Sequence, residues 1–413
     1  MKKYIFVIMT ICDIGGSEQY VYNKINYLKK LGYQTYIISA FKREIQIDAF
    51  KDYKEGIIPA VMYSPSFFTK KERNRTLNRI IDLIGGGADE CIVESDGIDE
   101  ALWGEMLAER IHARHFIFNV QEIHNYTESQ IDFLRFKHSR KELAGITLGS
   151  IGSMLKDSSI IPTPEMRFTA PCTNVVADCL SKHISLLKGN ARLTIGSIGR
   201  LEKEFLIPIL HEIKDFVSKN PQDLFNVVLI GGTRQPRVIK QINRIFINTT
   251  NVNLIITGFL YPIPLSLLNK IDIFVSTAGS ANVSYKAHRP TIKVHPVSGK
   301  IAGIMGNGFD AINSSMFDVS DLRLEDCICD IEQNKLQIEY PISCKEVEDK
   351  QMAQEFDREL SIITNNSTPL KYYGPGKIKP ESNAKNLVYK TLGKTCGAER
   401  MQKIIESIRF TFK

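Results

Sequence analysis

LTIGSIGRLEKEFLIPILHEIKDFVS, residues 193–218, decides the fold. Leu193 to Ile198 is apolar or small on both alternating faces, the pattern of a strand buried inside a parallel sheet. Gly199-Arg200 then breaks the run. From Phe205 to Ser218 the apolar residues recur at helical spacing. A buried strand, a glycine turn and an amphipathic helix together open a doubly wound α/β unit.

The same grammar extends in both directions. Downstream, strands are expected at 226–230, 252–257, 271–275 and 291–294, and Asn226 to Gly232 is a buried strand ending in a glycine turn. Upstream, Lys3 to Met9 reads as a central first strand. A loop with Gly15-Gly16 follows it, with Ser17 placed to cap a helix whose stripe is Val21, Ile25 and Leu28. Further strands are expected at 34–39, 57–62, 91–94, 115–120 and 145–149, and helices near 69–84, 99–111 and 129–143. The two units join near 178–191, which lacks a strand pattern. Residues 384–408 have helical period and suit a helix crossing back onto the first unit.

With 413 residues, the chain is longer than one core usually supports. A hydrophobic content of 43% and charged content of 24% are those of a globular protein, and a net charge of +7 falls short of a nucleic-acid-binding signature. Eight cysteines form no disulfide framework or zinc spacing and fit reduced thiols in the cytoplasm. Lys2-Lys3 followed by Tyr4 to Met9 imitates a secretory signal, but the apolar run is short and no small-residue cleavage site follows, so it reads as a strand.

Ligands of open parallel sheets sit beyond the carboxyl ends of the strands, so the loops there carry the chemistry. Gly15 and Gly16 let the backbone approach a ligand at a helix N-terminus, which favours phosphate or sugar oxygens; a tight turn before a capped helix explains the same residues. Arg200 offers a planar fork to a diphosphate and Lys203 a point charge beside it, where a solvated charged turn is the plainer alternative. STAGSAN (276–282) is a small-residue loop at another helix start. After the fifth strand of the first unit, Glu122 and His124 stand at i and i+2. Either could take a proton from an acceptor hydroxyl, though a lone histidine is more often structural. Glu94 and Asp96 are weaker candidates for the same role.

These motifs occur in order over nearly the whole chain, roughly residues 3–400: Gly15-Gly16-Ser17-Glu18, the strand before Gly199-Arg200-Leu201, Gly231-Gly232, and the glycine loop before Pro290. Their combination resembles the GT-B glycosyltransferases, particularly the bacterial surface-polysaccharide enzymes that include family 4. The resemblance implies two doubly wound Rossmann-like domains facing across a cleft: 1–182 on the acceptor side, 190–383 binding the nucleotide-sugar, and 384–413 as the returning helix. It places Gly15 and Gly16 near the donor phosphates or the transferred sugar. Arg200 would hold the diphosphate with Lys203 beside it, and Gly232 and Thr233 would lie near the base and ribose. Gly279, Ser280 and Ala281 would turn backbone N–H groups to the phosphates. The nucleotide-sugar is a substrate; no cofactor and no metal is expected.

Two departures stand out. Phe205 occupies the place where the family usually has its lysine, and Lys203 comes early. The family's paired glutamates are absent: residues 276–290 hold no Asp or Glu, and Ser284 or Tyr285 stands where a ribose-binding carboxylate is usual.

The implied function is transfer of a sugar from a UDP- or GDP-sugar to a saccharide or lipid-linked saccharide, in polysaccharide or glycolipid assembly. A catalytically silent GT-B-like module that binds sugar nucleotide or scaffolds a complex is the alternative from another class. A nucleotide-sugar epimerase ranks below both. Two segments, 67–75 and 133–141, mix aromatic and basic residues and suit a peripheral contact with the cytoplasmic membrane face. Nucleic acid is not an expected partner.

Overall fold

The computed structural model describes every residue except 1, 13, 41–46, 48–49, 51–55, 120–125, 158, 170–175, 309–318, 342–344, 376–377, 379–381 and 412–413. The chain divides into two compact units, Met1–Cys172 with Glu346–Lys413, and Thr173–Lys345.

In the first unit β1 (Lys2–Ile8), β2 (Tyr33–Ser39), β3 (Gly56–Ile57), β4 (Glu90–Ser95), β5 (Arg114–Asn119) and β6 (Leu143–Gly145) form one sheet in the order β3-β2-β1-β4-β5-β6. Every pairing is parallel. Parallel strands need crossovers, and α1 (Gly16–Lys30), α2 (Lys70–Ile84), α3 (Ile98–Ile111), α4 (Glu128–Ser139) and α5 (Leu148–Leu155) supply the helices. The order runs one way from β1 to β3 and the other from β4 to β6, so the switch point lies between β1 and β4.

Local differences from the sequence reading have local causes. Of the strand expected at 57–62 only Ile57 is extended, in the two-residue β3, because Pro59 starts a 3-10 helix, Pro59–Met62. The strand expected at 145–149 ends at Gly145, because Thr147 caps α5 by accepting from the Ser150 N–H at 2.9 Å. The cap of α1 is Gly15, not Ser17.

The second unit repeats the plan. A short pair, β7 (Val176–Ala177) with β11 (Ile263–Pro264), stands apart from the main sheet. That sheet is built from β8 (Leu193–Ile198), β9 (Phe225–Ile230), β10 (Val252–Ile256), β12 (Ile273–Ser276), β13 (Thr291–Val294) and β14 (Ile301–Ile304), in the order β10-β9-β8-β12-β13-β14. Only β14 runs antiparallel to its neighbour. Both faces are covered. Ile195, Val227 and Leu229 join residues of α6 (Leu206–Ser218), α7 (Pro236–Phe246) and α10 (Leu324–Glu332) in one core cluster. Ile198, Val228, Ile230 and Phe274 join residues of α8 (Leu265–Leu268) and α9 (Ala278–Lys286) in the other.

The chain rejoins the first unit at Glu346, well before the change of domain expected at 384. Two helices follow, α11 (Lys345–Thr364) and α12 (Ala384–Thr411). Glu359 of α11 is fully buried and meets the ammonium of Lys24 at 3.0 Å, while Glu94 of β4 meets it at 2.7 Å. Tyr20 donates to Glu94 at 2.9 Å, and Tyr4 also bonds that carboxylate. A buried ion needs such partners, so α11 belongs to this sheet. Residues 366–373 are strapped down as well. Arg114 donates to the carbonyls of Asn366 and Thr368, Arg140 to that of Pro369, and the Tyr373 N–H to Glu105. Ala398 and Met401 of α12 pack into the first unit's core beside Phe67 and Phe68.

Candidate functional site

At the carboxyl end of the second sheet the strand-ending turns are stitched to one another. Gly199 N–H donates to Ile230 O at 3.0 Å, and Leu201 N–H to Gly232 O at 3.2 Å. Gly231 N–H donates to the Thr257 hydroxyl at 3.2 Å, and Ile198 N–H to the Ser276 hydroxyl at 3.0 Å. Gly199 sits at φ 145°, a conformation that favours glycine. Gly231 is required by proximity: a Cβ there would overlap the Gly199 carbonyl. Two backbones therefore meet beside the switch point between β8 and β12, where an open α/β sheet takes its ligand.

Arg200 projects from this junction. Its side chain is 45% exposed and its guanidinium lies 4.0 Å from the Glu202 carboxylate, too long for a tight bidentate pair. Half-buried Lys203 folds its ammonium back over Gly199. Gly232 lies against the Phe259 ring, 2.7 Å from where a Cβ would stand. The Thr233 hydroxyl accepts from the Gln235 N–H at 3.1 Å. Thus Arg200, Lys203, Gly232 and Thr233 share one end of one sheet.

The start of α9 completes that end, with a change of detail. Ser280 and Ala281 N–H both donate to the Thr277 carbonyl, at 3.1 and 3.3 Å, so those amides are taken up by the helix, and Ala281 is buried. Ala278 and Gly279 stand at the helix mouth, and the space around Gly279 is open. Thr277 is the cap residue, yet its hydroxyl makes no cap bond and has no partner among the described residues, although the residue is only 2% exposed. A buried hydroxyl without a protein partner at a helix N-terminus is placed to bond an oxygen ligand. Thr277 lay inside the quoted loop, but only the structure separates it from its neighbours. Neither stand-in for the usual carboxylate is available: Ser284 donates to Ala281 O and accepts from Thr291, while Tyr285 donates to the Glu339 carbonyl.

The first unit presents carboxyl groups at its own switch point. Gly15 caps α1 and Gly97 caps α3, and in each case the glutamate three residues on, Glu18 or Glu100, folds its carboxylate back over the glycine. This twice-used Gly-x-x-Glu start sets a carboxyl group on each helix terminus. At Gly15 the carboxyl group of Glu18 therefore lies directly over the glycine. Between the two helices lies Asp96, just after β4. Burial, with Glu18 and Glu94 nearby, pushes its carboxyl up to about 7, and its Oδ1 has no partner among the described residues. Burial lifts Asp99 to about 7 as well. Glu100 is raised further by burial and by Asp96 and Asp99. A carboxyl poised near neutrality can exchange a proton with a sugar hydroxyl. The Gly-x-x-Glu repeat could have been read from the sequence; the shift at Asp96 could not.

Glu122 and His124 lie outside the described residues. Glu94 is committed to Lys24, Tyr4 and Tyr20 and is structural. Most rings of the two aromatic-basic segments are buried, and Phe136 is half-buried. Phe67, Phe68, Phe133 and Leu134 are core residues, and Lys137 is buried between Glu105 and Glu142, at 2.9 and 2.7 Å. No helix among the described residues is long and apolar enough to cross a membrane.

No protein-family model matches the chain, and no curated protein sequence does. Solved structures match across most of it. A glycosyltransferase from Rickettsia africae superposes with a TM-score of 0.58 at 14% identity, over 89% of this chain and 99% of that one. Anabaena HepE in complex with UDP and glucose gives 0.56 at 10% identity, over 89% and 97%. An α,α-trehalose-phosphate synthase (UDP-forming) from Burkholderia vietnamiensis gives 0.50 at 10%, over 89% and 97%. At such identities the likeness is one of fold, and the fold is GT-B.

Proposed function

We propose that the protein is a nucleotide-sugar-dependent glycosyltransferase of the GT-B type. It would move a sugar from a UDP- or GDP-sugar to a saccharide or lipid-linked saccharide during polysaccharide or glycolipid assembly in the cytoplasm. The carrying observation is the convergence of Gly199-Arg200, Gly231-Gly232 and the unpartnered Thr277 hydroxyl at one switch point. The solved complex of HepE with UDP and glucose supports the same donor class. The guanidinium of Arg200, the ammonium of Lys203 and the start of α9 would neutralise charge developing on the leaving diphosphate. Gly232 and Thr233 would flank the nucleoside. Proton removal from the acceptor hydroxyl falls to Glu122, His124 or Asp96.

A second reading, a silent module that binds sugar nucleotide, draws on the engagement of Ser284 and Tyr285 elsewhere and on the absence of acids from 276–290. Nucleotide titration followed by a donor-turnover assay separates the two. Binding with turnover supports the transferase, binding alone the silent module, and no binding neither. Glu122→Gln and His124→Ala are each expected to lower kcat more than nucleotide affinity if that residue acts on the reacting centre; parallel losses in both quantities would remove it from the mechanism.

A further inference from the structure

The chain's positive charge is concentrated in one place. Residues 224–308 hold nine Lys and Arg against a single acid, Asp272, an excess of eight where the whole chain carries +7. All of that segment belongs to the second unit. Its most regular feature is α7. Val238, Ile242, Ile245 and Phe246 bury the inner face of this helix in the core. Arg237, Lys240, Gln241 and Arg244, at i, i+3, i+4 and i+7, form the exposed face, and Arg234 stands just before the helix. No ion pair joins Arg237, Lys240 or Arg244 to an acid among the described residues. Two large aliphatic side chains accompany the cations: Ile247 continues the stripe at 74% exposure, and Ile239 flanks it at 36%.

We propose that the outer face of α7 docks the second unit onto a membrane surface rich in anionic lipid. Charge complementarity selects a polyanion. The exposed isoleucines then favour lipid over nucleic acid, because a bilayer takes cations at its headgroups and aliphatic groups at the acyl boundary. Nucleic acid has no comparable place for Ile247, and the stripe offers no ring on which a base could stack. The surface differs from segments 67–75 and 133–141, whose aromatic side chains are largely buried.

The test is flotation of the full chain with phosphatidylcholine vesicles, with and without phosphatidylglycerol, at low and high salt. Wild type is expected to float only with the anionic vesicles and to be released by salt. At roughly five-fold per cation near such a surface, R237E/K240E/R244E should lower partitioning about a hundred-fold or more. Ile247→Ser should lower it several-fold while leaving the salt dependence unchanged. If the triple variant loses its thermal transition, K240E and Ile247→Ser, read separately, carry the test. Failure to float at low salt would overturn the proposal, as would flotation unaffected by these substitutions. Displacement by single-stranded RNA with no effect of Ile247→Ser would reassign the stripe to nucleic acid.

Discussion

Thr277 and Asp96 each hold an oxygen without a partner among the described residues, and each makes a different prediction. Thr277→Val keeps the side-chain shape and removes a hydroxyl that is unpaired without ligand. The free protein should be as stable as wild type or slightly more so, while nucleotide affinity falls by about 1 kcal/mol. Equal losses of both would make the hydroxyl structural. Asp96 holds its proton up to about 7 in the folded chain, against 3.8 for the ordinary carboxyl. Between those values the folded state binds more protons than the unfolded, so this group's contribution to stability falls as pH rises from about 4 to about 7 and is level beyond. Asp96→Asn should therefore gain roughly 1–2 kcal/mol over wild type above pH 7 and nothing below pH 4, with turnover reduced, as read by urea denaturation and initial rates. A gain independent of pH would contradict the shift. Residue positions were partly legible. Arg200 stood out because it follows a strand-ending glycine directly, whereas the shift at Asp96 depends on burial and on Glu18, which only folding brings to it.

Helices and strands were legible where periodicity is unambiguous, as at β1, β8 and β9, whose apolar runs sit in sheet centres. Short edge elements were not. At 57–62 an apolar run suggested a strand, while Pro59 was the better guide; near 145 the hydroxyl of Thr147 belonged to the next helix. The largest miss was α11, whose sequence is charged throughout and hides Glu359 among ordinary surface acids. Its meaning depends on Lys24, more than three hundred residues earlier and equally ordinary in sequence. Lys24→Met leaves Glu94 and Glu359 buried without their cation and should cost about 3–5 kcal/mol in chemical denaturation. Adding Glu359→Leu should recover part of that loss. No recovery would mean that Lys24 acts through Glu94 alone.

Across the whole chain, two doubly wound units, whose shared sheet order came from the structure, were written plainly in the alternation of strand, turn and helix. Where the second unit hands back to the first was not, because return at Glu346 rests on tertiary partners rather than on a composition shift. The loops at the carboxyl end of the second sheet were also readable as motifs, though which atoms remain open there required coordinates. Central to the account is that the Gly199-Arg200 turn and the start of α9 hold one diphosphate. The most direct measurement is a crystal structure with UDP or GDP, paired with titration of Arg200→Ala. The account predicts diphosphate oxygens within hydrogen-bond reach of the Arg200 guanidinium and the Ala278 and Gly279 amides, and a loss of roughly 2 kcal/mol or more of affinity in the variant. A nucleotide bound elsewhere, or undiminished affinity in a correctly folded Arg200→Ala protein, would contradict it.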